Sequence, residues 1–410
     1  MRRRTVITSV AAFSPAGVEV DAFGAALLAG QPLHRPITSF DTAALTSKQA
    51  AEMLDFDASR VIAPMKLRRM DEVGRLAVAA AHHLMEAAGL DVAGGGHDAL
   101  GVVLGTCTCG VHSTGEFLDR LQDLGPTGAP ALLFSNTVGN AAASLVALEY
   151  RLRGPNTTVS YKEVSGLAAV ALATDLLRRG KAEALLCGGA EDIYDLYFEV
   201  HDWFGVLSHE GEHPEGARPF DRTRNGFVMG EGAYLVMLED AAAAEARGAS
   251  AVAEIVGIGA SSAVTPLNAW PTDSEALAFC LQSALDDAGV TPGEVGAVYA
   301  AANGSPVLDA TEAAALATVF GGHDVPITSV KAITGEGGMA ATGALVGAVV
   351  CGAQGLVPPV AGLTSPDPSL PALDFVRHAP RPLRSPHVVV NGVASGGTLY
   401  SLVVRTARTP

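Results

Sequence analysis

The chain has no stretch of about 18 or more apolar residues free of glycine or charge, so the sequence offers no membrane-spanning helix. It is short of charge, at 17% Asp, Glu, Lys and Arg, and shorter still of positive charge. Against 43 acidic residues stand 27 Lys and Arg, for a formal net charge of −16. That deficit argues against nucleic acid as a partner. It also disfavours broad docking of a strongly acidic protein on this chain's own surface. The same balance equally serves to keep a cytoplasmic protein soluble. Cysteine is scarce: the five thiols are odd in number and lie in apolar or Gly-rich contexts, as expected in a reducing cytoplasm. Cys107 and Cys109 form a C-x-C, but no second Cys/His pair stands at ligand spacing, so we expect pocket-lining residues and no metal. The opening MRRRTVITSVAAF has arginines but soon turns polar and Pro-containing, which reads as a first strand and turn and not as a signal peptide.

What the chain has in quantity is apolar and small residues, 49% hydrophobic with 46 glycines. Over 410 residues this suits one large domain or two similar halves with closely packed elements. Strand-like and helix-like segments alternate. Residues 6–13 read as a strand, 71–89 as an amphipathic helix closed by glycine, 99–106 as a buried strand and 136–152 as a small-residue helix. A strand, 184–191, a polar Gly-rich excursion, 211–232, and a strand, 233–239, follow. A second round begins at 253, with helices at 274–289, 309–320 and 339–356, and with strands at 253–261, 297–303, 326–332 and the C-terminus. The 358–386 stretch, rich in proline, reads as a loop. We therefore expect α/β sheets covered on both faces, duplicated as 1–250 and 251–410.

Residues 157–166, TTVSYKEVSG, carry the strongest local signal. An extended β-branched run passes directly into an Ala-rich helical pattern. Such an elbow presents one side chain where free helix N–H groups and the helix dipole converge. Enzymes often place a nucleophile there, with the same N–H groups as an oxyanion hole. Here the tip residue is Glu163, a poor nucleophile for acyl transfer.

The segments RPFDRTRNGFVMGEGAYLVMLED (218–240), RLRGPNTTVS before the elbow, LLCGGAED after it, SVKAITG (329–335) and NGVASGGTLYSLVV (391–404) together resemble the β-ketoacyl synthase family in order and spacing, from about residue 5 to the C-terminus. The resemblance implies the thiolase fold, five layers in αβαβα order built from two duplicated halves. It also implies a Cys-His-His active site, and this chain departs from that site at every position. Glu163 stands where the cysteine belongs, Ala301 and Glu336 where the histidines belong, and Ser395 where the gating phenylalanine belongs, while Lys331 is retained. Arg224 of the signature is kept and Asn225 replaces its usual Asp. We expect Glu163, Lys331 and Glu336 to form one shared-charge cluster filling the vacated site.

A synthase-like chain without the triad resembles the chain length factor, the ketosynthase β subunit of type II polyketide synthases. That resemblance implies a heterodimer with a catalytic ketosynthase α subunit, an acyl carrier protein docking mainly on that partner, and a growing polyketide chain threading a shared tunnel. It implies no cofactor. Val111, Thr114, Phe117, Leu118 and nearby Phe134 are the candidate tunnel residues. Their region is lighter in aromatics than in aromatic-polyketide members, which points to a reducing, polyene-type system. Residues 136–152 fall where the family dimerises. A second reading makes Glu163 and Glu336 an acid–base pair of a thioester hydrolase or malonyl decarboxylase.

Overall fold

The computed structural model describes residues 3–93 and 96–407. Five strands form the first half: β1 (Thr5–Phe13), β2 (Leu100–Gly105), β3 (Asn156–Val159), β4 (Ala184–Glu191) and β5 (Gly232–Asp240). Five more form the second: β6 (Ala253–Ser262), β7 (Val295–Tyr299), β8 (Ile327–Thr328), β9 (His387–Val393) and β10 (Thr398–Thr406). The strand orders are β1-β5-β4-β2-β3 and β6-β10-β9-β7-β8. In each half the second, third and fourth strands run parallel, and the first and fifth are antiparallel to their neighbours. The two sheets are therefore the same construction used twice. They meet where Thr5–Ile7 of β1 pairs antiparallel with Ala253–Ile255 of β6.

The helices that matter here are α1 (Val20–Ala29), α2 (Glu72–Ala87), α3 (Val111–Leu124), α4 (Ala141–Glu149), α5 (Ser165–Arg178), α6 (Asp195–Trp203), α7 (Ser274–Ala288), α8 (Pro306–Phe320) and α9 (Ala340–Ala353). α2 and α4 cover the outer face of the first sheet, and α7 and α8 that of the second. α5 and α9 lie between the sheets and pack on each other. That is the expected αβαβα order of the thiolase fold. Among the described residues, no helix is long and apolar enough to cross a membrane.

The middle layer explains the small residues. All of α9 except Val350 and Ala353 is buried, so its Ala- and Gly-rich sequence needs no polar face. At the elbow the backbones themselves touch. A Cβ on Gly105, the last residue of β2, would lie 2.2 Å from the Ser165 carbonyl carbon and 2.3 Å from the Gly166 nitrogen.

Several boundaries differ from expectation. The helix expected over 136–152 spans only Ala141–Glu149, because 136–140 turn before entering it. The strand expected over 297–303 stops at Tyr299: the Ala300 N–H still reaches the Thr328 carbonyl, but those of Ala301 and Ala302 go to the buried Glu312 carboxylate. The 326–332 segment is strand only at Ile327–Thr328, then turns helical at Lys331–Thr334. α6, within 192–210, was not foreseen.

Gly105→Ala should cost about 3 kcal/mol, because backbone and not a yielding side chain meets the new methyl. Gly211→Ala, exposed with nothing within 4 Å of the added carbon, should stay within about 0.5 kcal/mol of wild type. Urea denaturation of the two variants checks the contrast.

Candidate functional site

The elbow forms where β3 ends and a single 3-10 turn, Lys162–Val164, leads into α5. Lys162 takes φ +51°, a conformation unusual for a residue with a side chain. The Ser165 hydroxyl holds the turn: it donates to the Lys162 carbonyl at 2.5 Å and accepts from the Tyr161 N–H at 2.9 Å. The tip is Glu163. Its Oε2 accepts from the Ser395 N–H at 2.9 Å, and the Ser395 hydroxyl donates to Oε1 at 2.9 Å and to Oε2 at 3.2 Å. The Glu163 N–H also stabilises the carboxylate. The side chain thus lies against backbone donors of the elbow and of the β9–β10 turn. Burial pushes the Glu163 carboxyl above its usual range and the charge of Glu336 adds to that, while the hydrogen bonds pull the other way.

The second carboxyl is differently held. Glu336 forms a buried ion pair with Lys331, and its Oε2 accepts from Asn303 Nδ2 at 2.7 Å. Its backbone pairs with the signature segment, Glu336 N–H to the Val228 carbonyl at 2.8 Å and Gly230 N–H to the Glu336 carbonyl at 3.0 Å. Asn303 is positioned by Asp309, which accepts its N–H at 3.0 Å. Burial lifts the Asp309 carboxyl to about 7, against several backbone hydrogen bonds. Ala301 offers no side-chain chemistry. Its N–H donates to Glu312 at 2.9 Å, as that of Ala302 does at 2.7 Å, so a buried carboxylate fixes the backbone at this position.

Two members of the expected cluster pair directly, and the third is coupled to them through charge. Lys331 and Glu336 pair directly, but among the described residues no hydrogen bond or ion pair joins either to Glu163. Ser395 captures Glu163, Lys331 is consumed by the carboxylate five residues along, and only the field of Glu336 couples the two carboxyls.

Glu163 and Ser395 stand at one wall of a cavity of about 240 Å³. The other walls are Tyr197, Val200, His201 and Phe204 of α6 and its end, Val206 and Phe227, and Asn268 and Trp270. Burial pushes the His201 imidazole below its usual value, against the hydrogen bond to the Tyr197 carbonyl. These walls escaped the sequence reading, as did Lys162 and Asn303. The spacing of Leu196, Val200 and Trp203 was the available signal for α6.

The candidate tunnel residues lie elsewhere. Val111, Thr114, Phe117 and Leu118 are on α3, and Phe134 ends the short helix Ala131–Phe134. The rings of Phe117 and Phe134 sit 5.7 Å apart, and the Thr114 hydroxyl donates to the Gly110 carbonyl at 2.6 Å. None of the five lines the cavity at Glu163. Val111, Leu118 and Phe134 are exposed, and α3 buries only Ser113. Cys107 donates its thiol to Glu191 at 2.9 Å. Among the described residues no group of three or more His, Cys, Asp or Glu could hold a metal ion.

A carboxyl whose folded-state pKa is raised costs stability as pH climbs above its unfolded value of about 4.3. Glu163→Gln removes that cost and leaves the other buried carboxyls in place. The Tm advantage of Glu163→Gln over wild type should be near zero at pH 4.5 and grow towards pH 8, as read by differential scanning calorimetry across that range.

Residues 2–244 match the family described as Beta-ketoacyl synthase, N-terminal domain, and residues 252–364 match Beta-ketoacyl synthase, C-terminal domain. The chain is 32% identical to a 3-oxoacyl-[acyl-carrier-protein] synthase 2 of Coxiella burnetii, with 98% of each chain covered. It is 33% identical to the tetracenomycin polyketide synthase ketoacyl synthase alpha subunit of Streptomyces glaucescens, covering 96% of this chain and 95% of that one. Among solved structures, the ishigamide ketosynthase/chain length factor superimposes with a TM-score of 0.92 at 31% identity, over 99% of this chain and 100% of the other. The duplicated sheets, the elbow and these matches along nearly the whole length agree: the chain belongs to the β-ketoacyl synthase family.

Proposed function

We propose that this chain is a chain length factor: a ketosynthase-like subunit that does no acyl transfer itself. It pairs with a catalytic ketosynthase α subunit and helps to shape the tunnel that sets polyketide length. The observation that carries this reading is the Glu163 carboxyl at the tip of the elbow, held by the N–H and hydroxyl of Ser395 in the β9–β10 turn. Acyl transfer at an elbow needs a nucleophile and an empty oxyanion hole, and Glu163 removes both. Ala301 and Glu336 supply no imidazole, so there is no neutral donor pair to stabilise an enolate. The degenerate positions Glu163, Ala301, Lys331, Glu336 and Ser395 are structural in this view.

The partner is a ketosynthase α subunit, and the contact is the apolar face carried by α3 and the 131–138 segment. Exposed Val111, Leu118, Leu132, Phe134 and Val138 are more contiguous apolar surface than a monomer needs. The growing polyketide lies along that face, with Val111, Thr114, Phe117, Leu118 and Phe134 bounding it. The acidic acyl carrier protein approaches mainly through the partner, since a net charge of −16 repels it here. The likeness to the tetracenomycin alpha subunit and to the ishigamide ketosynthase/chain length factor supports a polyketide context. The light α3 face favours a polyene-type product.

A second reading draws on one observation, the Glu163 carboxyl at the cavity wall with its pKa raised by burial and by the charge of Glu336, and makes the two an acid–base pair of an acyl-thioester hydrolase or malonyl decarboxylase. Two measurements separate the readings. Co-expressed with its ketosynthase partner, the chain should elute as a 1:1 complex that makes polyketide, with Glu163→Ala active to within about twofold. Turnover of a malonyl or acyl carrier protein by this chain alone, lost in Glu163→Ala, would sink the first reading. A Leu118→Trp complex should release shorter products by mass spectrometry at unchanged complex yield. An unaltered product distribution would remove Leu118 from the tunnel.

A further inference from the structure

Two parts of the Glu163 pocket lining reach solvent, and they differ in character. On one side Val200 and Phe204 are both pocket wall and surface, 42% and 48% exposed, and form an apolar rim. The other solvent-reaching part is exposed Asn268, and there the Lys162 ammonium is also part of the lining. It donates to the Leu267 carbonyl at 2.5 Å, to Asn268 Oδ1 at 3.0 Å and to the Ser395 hydroxyl at 3.2 Å. Leu267 and Asn268 belong to the connection between β6 and α7, which also supplies the Trp270 wall. That connection is tied to the β9–β10 turn by the Gly396 N–H to the Ala269 carbonyl at 2.9 Å. Lys162 joins the same connection to the elbow of the other half. It does so from a positive φ, where the backbone would accept glycine more readily than a long cation.

We propose that Lys162 determines what this pocket admits: an uncharged aliphatic or polyene chain end entering over Val200 and Phe204, and not a chain that trails a polar arm. A polar arm cannot lie along the apolar rim without losing its hydration. It must leave beside Asn268, and there it has to displace an ammonium already holding three acceptors. The aromatic and aliphatic walls suit the chain end itself. The proposal rests on the reading that the pocket performs no chemistry, and it adds the class of ligand that the pocket takes.

The test uses the full chain and two probes, octan-1-ol and S-octanoyl-pantetheine, with binding followed by calorimetry. Wild type should bind octan-1-ol and bind the thioester weakly or not at all. Lys162→Gly, which suits the positive φ and should fold, is expected to bind the thioester at least about tenfold more tightly than wild type, with octan-1-ol unchanged. Asn268→Ala keeps the lysine, removes one of its acceptors on an exposed connection, and should shift the thioester in the same direction by less. The proposal is overturned if neither variant gains for the thioester. It is equally overturned if both probes gain by the same factor, because Lys162 would then only occupy space. Hydrolysis of the thioester by wild type would instead defeat the non-catalytic reading, and it is seen separately as released octanoate.

Discussion

The close approach of backbones in the middle layer is the constraint on which the rest of this structure depends. β2 ends against the start of α5 at a separation that only Gly105 tolerates, and the N–H of Gly166 donates to the Gly338 carbonyl of the other half at 2.8 Å. The Gly338 N–H in turn donates to Glu191 at 3.0 Å. The same carboxylate gathers the Thr106 hydroxyl and the N–H groups of Cys107 and Thr108. One buried acid thus binds the ends of β2 and β4 to the segment that begins α9. Because the halves are locked together here, the elbow, the 300–304 turn, Lys331 and the β9–β10 turn converge on one place. The chain ends of parallel strands are where such folds gather their chemistry.

That place holds an unusual density of buried carboxyls, and their partners distinguish their roles. Glu191, Asp309 and Glu312 each accept two or more backbone N–H groups and so fix turns that no sheet or helix satisfies. Glu336 is charge-paired and bound to Asn303. Removing Lys331 alone would leave its carboxylate buried without compensation, a loss of about 3–5 kcal/mol. Glu163 differs from all of these, since it organises no turn beyond Ser395 and faces the cavity. Burial and the charge of Glu336 raise its pKa, and the Ser395 hydrogen bonds work against them.

Much of the scaffold was legible because its signals are local. Period, punctuation by glycine, and the twofold run of strand and helix led to the duplicated sheets, and the elbow was visible in TTVSYKEVSG. What failed was decided by tertiary contacts. The 297–303 strand ends early because Glu312 takes the N–H groups of Ala301 and Ala302. Within the expected charge cluster, the direct pairing of a lysine and a glutamate five residues apart, folded about Gly335 at φ +68°, and the hold of Ser395 on Glu163 were set by contacts that no local pattern encodes. α6 was passed over since only Phe198 of its nine residues is fully buried, so its pattern reads weakly against a core template. Lys162 looked like an ordinary polar residue of the elbow. Its three acceptors come from residues more than a hundred positions away, which no local pattern encodes.

The weak burial of α3 and α6 is itself an argument. α3 carries Val111, Leu118 and Leu124, α6 carries Leu196, Val200 and Trp203, and Trp203 is 81% exposed. A Cβ on Gly115 of α3 would come within 3.9 Å of the Leu196 side chain, so the two helices approach each other at that point. A stable core would have drawn these side chains in or replaced them by polar ones, since each exposed residue gains nothing in an isolated chain. Their persistence beside a pocket whose polar side is barred by Lys162 gives one direction to the proposed assembly. In that proposed assembly the apolar side of the site would face the partner, and the charged side water. On that reading the chain receives what its partner has already built, and the Glu163 carboxyl, resting on donors that would otherwise stabilise an acyl intermediate, ensures that nothing further is done to it.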